Sequence, residues 1–351
     1  MSRKISELRK EIDRLDFELL QLLDKRMEYA VCIGKEKVLA KSNIYCPKRE
    51  QEILQRLKKN ALKYLNHEAI DSIYREIFAF SRKLEKVEKV AFFDSASSFA
   101  YEVVAKKFGF VGKYLMMQDL ASLFRAVQLG EVKYGVIPLE NDSGIIKESC
   151  ELLFKNEAKV IAEVILPLQY SFASNDEKIQ NIKKIYLEKA IANQCRDFLK
   201  FYGFNEDKWV FVDSSVEVAK MVAKKKHTAI ICSNMIARLH NIPIIFENIQ
   251  DKNNQMRFVV ISDFFSQKAN KNKTSLLVAI KNKKRADVLL GLLEDIKKYK
   301  IGLIKIEEKE IDFFSHFYLE LEGYFEDKNL QEFLRKRSKE LKLLGSYPRE
   351  L

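Results

Sequence analysis

Ile5, Leu8, Ile12, Leu15, Leu19, Leu22, Leu23, Met27, Ala30 and Ile33 recur at intervals of three and four. That spacing puts apolar side chains along one stripe of an α-helix. The first glycine is Gly34 and the first proline is Pro47, so the pattern predicts one helix from residue 5 to about 40. At 1.5 Å per residue, about 35 residues make a rod of roughly 50 Å. Such a helix must lay its stripe against other long helices, and a second copy of the chain is the expected source. Pro47 opens a second predicted helix, and a third follows from Glu68 to Lys86.

The period changes after Glu88. Lys89-Val90-Ala91-Phe92-Phe93 reads as a buried strand, and strand-sized apolar runs at 134–138, 160–166, 184–186, 209–212, 228–232 and 258–261 alternate with helical stretches. This is the signature of an α/β domain. The polar stretch from Ser266 to Lys273 reads as a linker. Beyond it the order strand, helix, strand, strand, helix suits a small ferredoxin-like domain. The expected organisation is therefore an all-α domain at 1–87, an α/β domain at 88–264, a linker at 265–273 and a smaller domain at 274–351.

Composition narrows the function. The chain has 351 residues and a net charge of +12. Its cations are spread among acids rather than gathered in a free-standing basic run, so a pocket for a small anion is expected rather than a nucleic-acid face. No apolar run approaches the ~18 residues of a membrane span. The opening MSRKISELRKEIDRL has no apolar core of a secretory signal, so a cytoplasmic location is expected. Five cysteines without CxxC spacing suggest reduced thiols. Four histidines, none paired at ligand spacing, give no reason to expect a metal or cofactor.

Candidate chemistry lies among the helical charges. Arg26 and Lys37 are eleven apart and so about 20° apart in azimuth, on one face. Arg9 lies 17 residues before Arg26, about 260° round and ~25 Å along, so it can join the same pocket only from a partner helix. Ser81 and Glu85 share a face of the third helix, and Arg49 and Glu50 open the second.

The run Leu8-Arg9-x-x-Ile12-Asp13-x-x-Asp16-x-x-Leu19-Leu20-x-Leu22-Leu23-x-x-Arg26, then Gly34-Lys35-x-Lys37 and Pro47-x-Arg49-Glu50, resembles the all-α chorismate mutase family. The resemblance implies an intertwined helical dimer that binds chorismate. Arg9 from one chain, with Arg26 and Arg49 from the other, would hold its carboxylates. Lys37 and Glu85 would bracket the ether oxygen, Glu50 would take the hydroxyl, and Ser81 would line the pocket. Some members carry Gln where Glu85 stands, and a carboxylate donates there only when protonated. Cys46 stands where some members have Asp.

Residues 89–262 resemble prephenate dehydratase. Gly135-Val136-Ile137-Pro138-Leu139-Glu140-Asn141, Asn193-Gln194-Cys195, Ser214-Ser215-x-Glu217 and Arg257-Phe258 carry the likeness. It implies two α/β lobes with prephenate between them, the inserted lobe spanning about 166–245. Ser98, Glu140, Asn141, Gln194, Ser215 and Arg257 would be the substrate contacts. Three elements depart from the family. Its glycine-rich opening reads Phe93-Asp94-Ser95-Ala96-Ser97-Ser98-Phe99, its Ser-His-Pro-Gln element reads Leu187-Glu188-Lys189-Ala190, and Met256 replaces the Thr before Arg257. A thioether cannot donate a proton, so the acid of this cleft is left open among Ser98, Ser215 and Gln255.

Residues 274–351 resemble an ACT domain, on Lys273-Thr274-Ser275-Leu276-Leu277, Leu321-Glu322-Gly323-Tyr324 and Leu344-Gly345-Ser346-Tyr347-Pro348. The two turns that bind phenylalanine in relatives read Asp287-Val288-Leu289 and Glu307-Glu308-Lys309-Glu310 here. The carboxylate of Asp287 would repel that of an amino acid, so weak binding of this effector is expected. Taken together the chain resembles the bifunctional P-protein family. That implies a homodimeric enzyme of phenylalanine biosynthesis, acting on chorismate and prephenate. A mutase with an inactive second domain and a small-anion sensor are the alternatives.

Overall fold

A computed structural model describes residues 3–60, 63–93, 99–280, 285–311 and 314–349. The chain divides into two compact units. The first runs to Glu88 and takes in Phe108–Lys113, and the second holds the remainder.

The first unit is helical. Helix α1 (Arg3–Leu39) has 37 residues, about 55 Å of rod. Helix α2 (Pro47–Lys59) starts on the expected proline. Helix α3 (His67–Glu85) is capped by Asn66, whose side chain accepts from the Ala69 N–H at 2.8 Å. Gly34 sets how closely α1 approaches α3: a Cβ there would stand 2.6 Å from Glu85 Cα. The C-terminal half of α1 buries Ala30 this way, whereas Leu8, Ile12, Leu15, Leu19 and Leu22 stay more than half exposed. Nothing else in the described chain covers that stripe.

The second unit begins with β1 (Lys89–Phe93), α4 (Phe99–Phe108), β2 (Lys113–Met117), α5 (Leu120–Gln128), β3 (Tyr134–Asn141), β4 (Gly144–Ile145), α6 (Lys147–Lys155) and β5 (Lys159–Leu168). An inserted set follows: β6 (Tyr170–Ser174), β7 (Lys184–Leu187), α7 (Lys189–Gln194), α8 (Arg196–Phe201), β8 (Trp209–Phe211), α9 (Ser215–Val222), β9 (Thr228–Ser233), α10 (Asn234–Leu239) and β10 (Ile244–Phe246). The chain returns in β11 (Asn254–Ser262) and ends with β12 (Asn272–Ala279), α11 (Arg285–Lys298), β13 (Leu303–Ile311), β14 (Phe314–Glu322), α12 (Lys328–Lys336) and β15 (Leu341–Pro348).

The inserted strands form their own sheet, ordered β10-β6-β9-β7-β8, so a separate lobe is present over 170–246. The other sheet runs β13-β14-β12-β15-β5-β11-β3-β1-β2, with β4 on β3. Its β12-to-β15 part has the order β-α-β-β-α-β, and it joins the rest through Gly345 opposite Val160. One core crosses that junction: Ile137, Val259 and Ile261 share a cluster with Leu277, Tyr318, Leu344 and Tyr347.

Two expectations change. The stretch 265–273 is no free linker: Ser266, Ala269, Asn272 and Lys273 are buried, and β12 already starts at Asn272. Asn272 folds the strap by pairing twice with the Ala269 backbone, and Tyr324 donates to the Ser266 carbonyl at 2.6 Å. Glu307–Glu310 is not a turn but the middle of β13, where Glu307 faces Tyr318 and Glu310 faces Ser315 on β14. Among the described residues no helix is long and apolar enough to cross a membrane.

Candidate active sites

In the helical unit the crossing of α1 and α3 gathers opposite charges. Lys37 donates to the Glu85 carboxylate at 2.6 Å and to the Ile44 carbonyl at 2.9 Å. About three turns nearer the N-terminus of α1, Arg26 donates to Ser81 Oγ at 2.5 Å and lies 5.8 Å from the Phe78 ring centroid. Burial holds the Arg26 guanidinium below its ordinary pKa, against the pull of Tyr74, Glu85 and Glu50. Glu50, in the first turn of α2, pairs with Arg82 of α3. The structure thus brings Arg26, Lys37, Ser81, Glu85 and Glu50 toward one place. Arg49 stays outside this group, 61% exposed and 3.8 Å from Glu52. Arg9 lies on the exposed stretch of α1. Arg82 was not singled out from the sequence, because one more cation on a charged helix carries no periodic signal.

The second unit holds a hollow of about 570 Å³ whose lining includes Glu140, Asn141, Gln255, Arg257, Lys273 and Lys305. Arg257 stands opposite Glu140 in the β11–β3 register. Its guanidinium is paired with Glu140, Glu163 and Glu320 at once. Lys273 adds contacts to Glu163 at 2.6 Å and Glu320 at 3.0 Å, and Lys305 pairs with Glu140. Burial alone would lower the pKa of Arg257. The neighbouring Tyr318, Glu320, Tyr347 and Glu140 reverse that and raise it. Burial likewise pushes Glu320 up, but Arg257 and Lys273 win and hold it below the ordinary carboxylate range.

Arg257 lines the hollow while three carboxylates share its guanidinium. The strand period puts Gln255 and Arg257 on the face of β11 that lines the hollow and turns Met256 to the other face. Asn141 sits at the rim, its Oδ1 accepting from the Ser143 N–H at 2.9 Å. Gln194 and Ser215 belong to the inserted lobe and do not line this hollow. Gln194 Oε1 is buried with no hydrogen-bond partner among the described residues. Ser215 donates its hydroxyl and its N–H, the latter at 3.0 Å, to the buried Glu188. Ser98 lies outside the described residues. Among those described, no three His, Cys, Asp or Glu side chains gather as metal ligands do.

Comparison with known proteins places both units. The family model for chorismate mutase type II matches residues 8–86, and the model for prephenate dehydratase matches 90–264. The bifunctional chorismate mutase/prephenate dehydratase of Aquifex aeolicus (strain VF5) is 31% identical over 99% of both chains. The chain belongs to the bifunctional chorismate mutase/prephenate dehydratase family. Another member, from Escherichia coli (strain K12), is 25% identical over 98% of this chain and 96% of its own. The structure of the Arthrobacter aurescens prephenate dehydratase in complex with L-Phe superposes with a TM-score of 0.65 at 20% identity, covering 74% of this chain and 90% of the other. At that identity the likeness speaks for the fold alone. The family assignment rests on the full-length relatives and on the two matched segments, whose boundary falls where the helical pattern ends.

Proposed function

We propose that this chain rearranges chorismate to prephenate in its helical unit and converts prephenate to phenylpyruvate in its second unit, as two steps of phenylalanine biosynthesis. The observation that carries the reading is the convergence of Arg26, Lys37, Ser81, Glu85 and Glu50 at the α1–α3 crossing. The rearrangement is pericyclic, so the site has to hold a compact conformer and place donors where charge develops. Arg26 and Arg49 would hold substrate carboxylates. Lys37 would donate to the ether oxygen, Glu50 would accept the ring hydroxyl, and Ser81 would fix the pose of Arg26. Arg9 would enter from a second chain. The exposed stripe of α1 supports a homodimer, as does the azimuth of Arg9.

In the second unit Ser98, Glu140, Asn141, Gln194, Ser215 and Arg257 would be the prephenate contacts, with Glu140, Asn141 and Arg257 lining the hollow. Arg257, paired with Glu140, Glu163 and Glu320, would meet the substrate as part of that ionic cluster. The β-α-β-β-α-β segment of 272–348 is read as an ACT-type module. Phenylalanine is expected to bind it weakly, because Asp287 adds a carboxylate and 307–310 is tied into a strand. A cytoplasmic location goes with the substrates. A second reading, in which only the mutase works, is favoured by Met256 alone, which removes the hydroxyl donor.

Purified protein given chorismate tests the proposal, with chorismate, prephenate and phenylpyruvate followed together. Chorismate loss with phenylpyruvate formed is the expected result. Prephenate that accumulates without phenylpyruvate leaves the mutase alone, and no chorismate loss contradicts the reading.

A further inference from the structure

Arg82 has no part in the reaction as set out above, yet it is bound on every side. It stands next to Ser81 on α3, its side chain 12% exposed. One guanidinium nitrogen donates to Glu50 Oε1. The other donates to the Phe108 carbonyl at 3.1 Å. The guanidinium carbon lies 5.3 Å from the Tyr45 ring centroid and 5.7 Å from that of Phe108, within cation–π range. Phe108 lies beyond the 8–86 stretch that matches chorismate mutase. It opens the short segment Phe108–Lys113 that returns to the helical unit. That segment is seated closely. Gly109 has φ +80°, and a Cβ on it would meet Ala79 Cβ at 2.3 Å. The Phe110 N–H donates to Glu76 at 3.2 Å.

A glutamate that must accept one hydroxyl from a small substrate has three side-chain torsions to settle. It also brings a negative charge toward a dicarboxylate. A cation fixed on one carboxylate oxygen answers both needs: it removes the torsional freedom and offsets the repulsion. The planar fork of arginine, gripped between two rings and a carbonyl, suits this better than a mobile ammonium. We propose that Arg82 is a positioning residue for Glu50 in the mutase reaction, with the Phe108–Phe110 segment holding Arg82 in place. The proposal rests on the reading that Glu50 Oε2 accepts the substrate hydroxyl.

Steady-state mutase kinetics of the full chain test it, with Arg82→Met, Arg82→Lys, Glu50→Gln and the double variant Arg82→Met/Glu50→Gln, and with the thermal midpoint of each recorded. Arg82→Met is expected to lower kcat/KM at least tenfold, and Arg82→Lys, which keeps the charge without the planar fork, to recover only part of that loss. The double variant should be no worse than Glu50→Gln within a factor of two, since a carboxylate already disabled has nothing left to position. Losses that multiply in the double variant, or an Arg82→Met enzyme with the parent's kcat/KM, overturn the proposal. A parental kcat/KM for Glu50→Gln itself overturns the role of Glu50 instead. Should Arg82→Met fail to fold, Arg82→Gln carries the same comparison.

Discussion

Lys37 and Glu85 are 48 positions apart in the chain and 2.6 Å apart in space. In the proposed mutase site that pair would flank the ether oxygen of chorismate. Negative charge gathers on this oxygen in the transition state, so a donor lowers the barrier and an ionised carboxylate raises it. Glutamine at this position donates whatever the pH. Glu85→Gln is therefore expected to raise the mutase kcat above the parent's, by roughly tenfold. A Glu85→Gln kcat no higher than the parent's would retire the idea. At this scale the sequence was readable where periodicity applies: 100° per residue put Arg26 with Lys37 and Ser81 with Glu85. It was silent on Arg82 and on the carboxylates around Arg257. Those pairings join residues that only the fold brings together, and no spacing along the chain encodes them.

Among the elements, the long first helix was legible because a sustained 3.6-residue period has no other reading. Its crossing with α3 was not, although Gly34 marked the spot. A methyl group there points at Glu85 Cα, which belongs to backbone and cannot swing aside. Gly34→Ala is expected to lower unfolding free energy by about 1–3 kcal/mol, measured in urea, and to lower kcat/KM of the mutase by displacing Glu85 from Lys37. Parental stability and activity would mean that the helices part there at no cost. The strands β2, β4, β6, β10 and β15 were not expected from sequence. β4 has two residues and β10 three, too few for an alternating pattern. The polar strap at 265–273 looked like a linker because its lysines and asparagines outnumber its apolar residues, but Asn272 spends its amide on the backbone and so packs.

On the scale of the whole molecule, the second unit is tied together by a buried ionic cluster. Arg257 on β11 and Lys273 on β12 share Glu163 of β5 and Glu320 of β14. Removing one partner from such a cluster leaves an uncompensated charge, which costs about 3–5 kcal/mol. Glu320 is held below its ordinary range by Arg257 and Lys273 against the upward push of burial. Its contribution is thus present above the unfolded carboxylate pKa of about 4.3 and is lost as the pH falls through the depressed folded value. Glu320→Gln should unfold at lower temperature than the parent at neutral pH, and the gap should narrow on acidification. A gap that widens in acid would mean the wrong sign. The exposed stripe of α1 and the placement of Arg9 make the larger claim, that the mutase site is completed by a second chain. Mixing Arg9→Ala chains with Arg26→Ala chains tests it most directly. Each variant alone should be nearly inactive. Random pairing makes half the dimers mixed, each with one intact site of two, so about a quarter of parental mutase activity should return. Mixed dimers that form and yet recover no activity would contradict a site shared between chains.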